Sequence, residues 1–201
     1  MRLLPLDGYA VKSHNRTSRP EVTMLPYLFI LFAFLFRFIP YHPLGFTPVA
    51  AALLFFGARG SRRRLWVPLV LMAVSDIVLT KFVYAYPFTW DHYVTFAWYA
   101  AILWLGTNLR ENAKPFRVIA AALAGSVSFF LLSNFAVWAS WPDLYPKTAA
   151  GLLTCYAVGL PYFRRAAAGD LLFTAIMFAT PVILLALSRT FSRAGDGIAA
   201  A

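Results

Sequence analysis

The sequence predicts an all-α, polytopic membrane bundle of about six transmembrane helices, and three observations carry that reading. First, the chain is 61% hydrophobic and only 13% charged, whereas a soluble domain is nearer about 45–50% apolar and about 25% charged. Second, the apolar residues gather into runs at 25–39, 46–58, 65–80, 93–109, 118–139 and 171–187. Several of these approach the roughly 20 residues a helix needs to cross a bilayer. Third, thirteen of the 18 Lys and Arg residues fall in four clusters outside those runs, at residues 2–19, 59–64, 110–117 and 189–193. Such clusters hold loops on the cytoplasmic side and meet anionic headgroups. The net charge of +10 therefore reads as a topology determinant; the lipid bilayer is the expected partner and nucleic acid is not.

Residues 1–23 are polar and irregular, with Pro5, Gly8 and Pro20 and no periodic apolar face. They are expected to form a disordered cytoplasmic tail or to precede a true start at Met24. A cleaved signal is not expected, because Arg37 interrupts the first apolar run and Pro40-Tyr41-His42-Pro43 is a poor small-residue cleavage site. One membrane domain, residues 24–188, follows, and 189–201 form a second cytoplasmic tail. With the basic clusters inside, both termini are cytoplasmic. Helix 1 (25–39) runs outward, a turn rich in Pro40, Pro43 and Gly45 follows, and helix 2 (46–58) returns. Helices 3 (65–80) and 5 (118–139) then run outward, and helices 4 (93–109) and 6 (169–187) inward.

Two segments need separate argument. Helix 2 is short, and a run of roughly 10–14 apolar residues is more often re-entrant or interfacial. It is kept as a short or partly re-entrant crossing, because otherwise the Arg59–Arg64 cluster would lie outside. Residues 148–163 are apolar enough to span, but Gly151, Gly159 and Pro161 weaken them, and a crossing would carry Arg189 and Arg193 outside. An extra outer re-entrant or interfacial helix is expected there. The outer loops are also rich in aromatic residues, among them Tyr41, Tyr84, Trp90, Trp141, Tyr145 and Tyr162. Single Trp and Tyr residues anchor helix ends at the interface; long aromatic loops look more like lids over an outward-facing cavity.

The polar residues inside the apolar runs are the functional candidates. Arg37, Asp76, Asn134 and Asp170 all fall toward one membrane face. A charge there is expensive unless it faces a bundle interior or a solvated cavity. Arg37 and Asp76 match in depth and are expected to form a structural ion pair; substrate contact by either is the competing reading. Asn134 either ties two helices together or binds a ligand. Trp138, at i+4, shares its face and adds stacking surface. Asp170 opens helix 6 after Arg164 and Arg165, so it either caps that helix or meets a ligand or cation.

Catalytic chemistry finds little support. Cys155 is the one cysteine, which excludes an internal disulfide and a multi-cysteine metal site. His42 and His92 are each alone, and no phosphate loop, dinucleotide fingerprint or zinc helix motif occurs. No enzyme activity, metal or cofactor is expected.

Three segments carry a resemblance. They are Phe46-Thr47-Pro48-Val49-Ala50, Ser133-Asn134-Phe135-Ala136-Val137-Trp138, and Tyr145-Pro146-Lys147-Thr148 continued through Gly151 to Tyr156, Pro161-Tyr162-Phe163 and Gly169-Asp170. Together, over residues 24–187, they resemble a family of small uncharacterised bacterial membrane proteins. That family is in turn distantly similar to the S components of energy-coupling-factor vitamin transporters. The resemblance implies a six-helix S-component-like fold in the bacterial inner membrane. It also implies a vitamin-like ligand captured near the outer face under the first, third and fifth loops, and a membrane partner subunit. Ligand-binding candidates are then Asn134, Trp138, Asp170, Tyr145 and Lys147. The chain departs from the pattern in helix 1, where 25–39 contains only Ala33 in place of an alanine-x-x-x-alanine docking surface. A substrate-capture subunit or small transporter is one function class. A structural or accessory subunit that binds a partner protein or lipid and transports nothing is the other.

Overall fold

A computed structural model describes residues 20–39 and 45–199, with side-chain surroundings for 24–39 and 45–190. The described residues contain helices and no strands: α1 (Pro20–Phe36), α2 (Val49–Arg59), α3 (Trp66–Val78), α4 (Asp91–Thr107), α5 (Pro115–Ser140) and α6 (Ala149–Ala199). A 3₁₀ turn, Arg62–Arg64, leads into α3, and a π-helical turn, Leu79–Val83, extends it. Three stretches are long and apolar enough to cross a membrane: Arg62–Val83, Pro115–Ser140 and Ala149–Thr190. The expectations for residues 1–19, Pro40, Tyr41, His42 and Pro43 fall outside the described residues; residues 20–23 and 189–199, expected in the two tails, are helical, as the start of α1 and the end of α6.

The distribution of side chains is consistent with a helical membrane bundle. On α5, Phe116, Ile119, Leu123, Val127 and Leu131 recur at helical spacing, and all are exposed. The face turned inward carries Val118, Ala121, Ala122, Gly125 and Ser126. Water would penalise an outer stripe of that kind, whereas lipid does not. Between helices in lipid the attraction comes from close packing of small residues.

The tightest such packing is between α2 and α4. A Cβ on Gly57 would overlap the Leu103 carbonyl oxygen and stand 2.8 Å from the Gly106 Cα. A Cβ on Gly106 would in turn overlap the Leu54 carbonyl oxygen. Two glycines facing each other thus let the backbones touch. This explains why α2 is buried all round, from Val49 to Ala58. It is the central helix, with Tyr27 and Phe29 of α1 packed edge-on against Phe56 and Phe55, and Phe178 of α6 against Phe55.

The shortness of α2 therefore has a different cause from re-entry. Eleven residues rise only about 16 Å, and the helix starts at mid-bundle. A Cβ on Gly45 would stand 3.0 Å from the Tyr162 carbonyl oxygen, and one on Gly169 would stand 3.0 Å from Phe46. Gly45 and Phe46, just before α2, consequently pack on α6 between Tyr162 and Gly169, while α3, α4, α5 and α6 continue past that level. Gly45 has φ +86°, a conformation that suits glycine because it has no Cβ.

One expectation is overturned. Residues 148–163 do not form a separate outer helix, and Asp170 does not begin one. Both belong to α6, a single helix of 51 residues, about 76 Å long against a hydrocarbon core of about 30 Å. The residues that looked like breakers are packing residues. A Cβ on Gly151 would overlap the Pro146 carbonyl oxygen, and one on Gly159 would overlap the Asn134 side-chain oxygen. Pro161 lies inside the helix, where neighbouring helices help satisfy the backbone groups a proline frees.

Candidate functional site

Because α2 starts at mid-bundle and its neighbours do not, a well lies above its first turn. Measured by helical rise, α3 with its π turn climbs about 10 Å beyond Asp76, and α4 begins about 12 Å beyond Tyr99. The well is a cavity of about 370 Å³. It is lined by Thr47, Val49 and Ala50 around the start of α2, by Arg37 and Asp76, by Tyr84, Asp91 and His92 around the π turn and the start of α4, and by Trp98, Phe129 and Asp170.

The Arg37–Asp76 ion pair is present, as the matched depths predicted. Arg37 donates one hydrogen bond to Asp76 through Nη2 and another, through Nη1, to the Tyr99 hydroxyl at 2.9 Å. The second carboxylate oxygen of Asp76 is buried and accepts no hydrogen bond from the described residues. Across the well, Asp170 is only 7% exposed. Its Oδ2 accepts from the Ser126 hydroxyl at 2.6 Å; among the described residues its Oδ1 accepts nothing. Asp170 is thus an interior helical residue, and the capping reading does not hold.

The rim is built by the π turn. The Tyr84 N–H reaches back to the Leu79 carbonyl at 2.8 Å, and the Tyr86 N–H to the Thr80 carbonyl at 2.9 Å. Ala85 then takes φ 54°, a left-handed conformation uncommon for a residue with a Cβ. The wider turn keeps Thr80 buried, with its hydroxyl 3.1 Å from Nε2 of His92. Nδ1 of His92 lies 3.2 Å from the Thr89 carbonyl, which can only accept, so a neutral imidazole protonated on Nδ1 satisfies both contacts. Single-turn π bulges recur at functional sites.

The remaining candidates divide. Asn134 lines a smaller cavity of about 190 Å³ with Ser133, Gly159, Tyr162 and Phe163, separated from the well by Gly45, Phe129 and Ala166, which line both. Its amide donates to the Phe130 carbonyl at 2.8 Å, and the Cys155 thiol donates to the Asn134 backbone carbonyl at 3.3 Å. Trp138 donates to the Pro146 carbonyl at 2.9 Å and carries the Lys147 ammonium 5.1 Å from its ring centre. Lys147 also donates to the Trp138 carbonyl. Trp138, Tyr145 and Lys147 line neither cavity, so the expected convergence of Asn134, Trp138 and Asp170 is not found. Of the aromatic loop residues expected as lids, Tyr84 alone among those described lines the well.

Sequence reasoning missed Tyr99, Ser126, Trp98 and Thr80. Each is an ordinary residue within an apolar run, with no local signal that it serves a polar site. No curated protein and no solved structure matches this chain. A family model does match, over residues 17–192, and this chain accordingly belongs to that family, a family of unknown function (DUF6580).

Proposed function

We propose that this protein captures a small organic cation, vitamin-like in size, in a well that opens toward the outer face of the bacterial inner membrane. It would act as a substrate-binding subunit or small transporter, with six crossings and both termini cytoplasmic. The observation that carries this reading is Asp170. It is a nearly buried carboxylate within an apolar helix, lining the cavity, and among the described residues its hydrogen-bond partner is the Ser126 hydroxyl alone. A charge so placed is costly unless it is paired, and a bound cation would pair it.

The rest of the lining supports the same charge. Three aspartates line the well against one arginine, and that arginine is already engaged by Asp76. Trp98, Tyr84 and Phe129 offer ring faces over which a cation is attracted. The first-turn N–H groups of α2 at the floor are donors without helical partners, which suits a hydrogen-bond acceptor elsewhere on the same molecule. The carboxylates are spread around the wall: among the described residues no three of His, Cys, Asp or Glu come together to hold a metal ion. That favours an organic cation. A volume of about 370 Å³ falls within the roughly 300–1,000 Å³ of small-molecule sites, a void that a purely structural bundle has no use for. Arg62, Arg110 and Arg117 gather at the opposite end, and basic ends stay in the cytoplasm. The resemblance to vitamin-capturing S components agrees with this orientation.

The test is a thermal-unfolding screen of the purified protein against small organic cations and neutral or anionic compounds of matched size. Cations should stabilise it selectively, and Asp170→Asn should weaken the best of them about 30-fold without lowering the melting temperature of the free protein. Stabilisation by anions as large as by cations, or cation binding indifferent to Asp170→Asn, would overturn the reading.

A further inference from the structure

The end of the bundle away from the well carries a second, wider cleft of about 790 Å³, where the turn after α2, the end of α4 and the start of α5 meet. Arg62, Arg110 and Arg117 converge on it, with a single acid, Glu111, and with Trp104 in its wall. Among the described residues none of the three guanidinium groups lies within ion-pair distance of a carboxylate. Among the described residues the ion pair is Arg37–Asp76, in the well, where Asp91 also lies 3.5 Å from the His92 ring. The Arg110 Nη2 donates to the Gly60 carbonyl at 2.9 Å, and the Arg117 Nη2 reaches the Asn108 carbonyl at 3.5 Å. These backbone contacts aim the groups and leave their charge in place. The Arg110 Nε is buried and has no hydrogen-bond partner. Burial first, and the neighbouring charge of Arg62 second, lower the pKa of Arg110.

We infer that this cleft binds a phosphate group. Several like charges held together around one space favour an anion with several acceptor oxygens, and the guanidinium fork matches phosphate geometry. Trp104 is 66% exposed at the cleft, as an interfacial anchor would be, since Trp concentrates at the level of lipid headgroups. An anionic phospholipid is thus one source of the phosphate, and a soluble phosphate compound is the other. The inference does not depend on what the well binds.

Native mass spectrometry of the detergent-solubilised full chain, with phosphatidylglycerol or phosphatidylcholine added, tests the lipid source. Thermal unfolding in rising inorganic phosphate, against chloride at equal ionic strength, tests the soluble one. The double variant Arg62→Gln/Arg117→Gln should weaken whichever response is seen by about 25-fold, taking about fivefold for each arginine. Arg63→Gln/Arg64→Gln removes the same charge from exposed residues that do not line the cleft, and should change little. If the first double variant fails to fold, Arg117→Gln alone carries the comparison, with about a fivefold loss expected. Selective retention of phosphatidylglycerol without a phosphate response assigns the site to lipid, and the reverse assigns it to a soluble phosphate. Equal losses in the two double variants would mean a diffuse surface charge, and no response to either probe would mean no site; both overturn the inference.

Discussion

The α1–α2 side of the bundle and the α5–α6 hairpin both bury polar residues among apolar ones, and they treat those residues in opposite ways. Along the hairpin, three side chains are bonded to carbonyls of α5. Asn134 bonds Phe130, Cys155 bonds Asn134, and the Tyr156 hydroxyl bonds the Leu131 carbonyl at 2.9 Å. Beside α2, the Asp76 Oδ2 is buried without a hydrogen-bond partner among the described residues, and Asp170 is bonded by the Ser126 hydroxyl at Oδ2. The difference follows from length. Where the hairpin helices lie in contact, these side chains find a carbonyl of α5 within reach, while the Ser140 and Thr174 hydroxyls are buried without a partner among the described residues. Next to α2 the neighbouring helix stops, and the side chains above its first turn face a void.

The largest expected effect is on the α2 side. Asp76→Asn leaves Arg37 buried without a countercharge and should destabilise by about 3–5 kcal/mol, measured by SDS-driven unfolding in mixed micelles. The double variant Arg37→Met/Asp76→Leu should recover much of that loss. Equal damage from the single and double variants would mean that the pair does not act as a unit.

On the hairpin side the effects should be smaller and confined to stability. Gly159→Ala drives a methyl group into the Asn134 amide and should destabilise by about 1–3 kcal/mol, the usual range for overpacking. Cation binding in the well should be unchanged. A loss of binding would join the two cavities into one site and erase the contrast.

The smallest effects are expected at Asn134 and Trp138. Asn134→Ala should cost about 0.6–1.7 kcal/mol, as other interhelical polar contacts in membranes do. Trp138→Ala, at the hairpin turn, should stay within about 0.5 kcal/mol. Neither should weaken ligand binding; a tenfold loss in either would move the site outward along α5.

Much of the fold was legible because transfer free energy is local. Each apolar run from residue 25 to 139 became a helix within a few residues of its expected bounds. The Arg37–Asp76 pair was legible because two lone opposite charges at one depth have few other ways to be satisfied. Gly151, Gly159 and Pro161 misled for a physical reason. Glycine weakens an isolated helix, yet where two helices touch it permits the approach that holds them together. Reading Asp170 as a cap inherited that error, since a helix assumed to start at Gly169 makes the next residue a first-turn acid.

By itself, then, the sequence determined that the chain forms helices long and apolar enough to cross a membrane, the approximate limits of its early helices, the Arg37–Asp76 pair and the basic cluster at one end. All of these depend on the identity and spacing of residues along the chain. Only the tertiary structure decided that α2 begins at mid-bundle, that α6 runs unbroken past it, and that Asp170 rather than Asn134 faces the well. Those outcomes depend on the relative heights of helices far apart in sequence. The heights are set by contacts such as Gly57 on Gly106 and Phe46 on Gly169, where backbone approach is limited by atoms that no local pattern brings together.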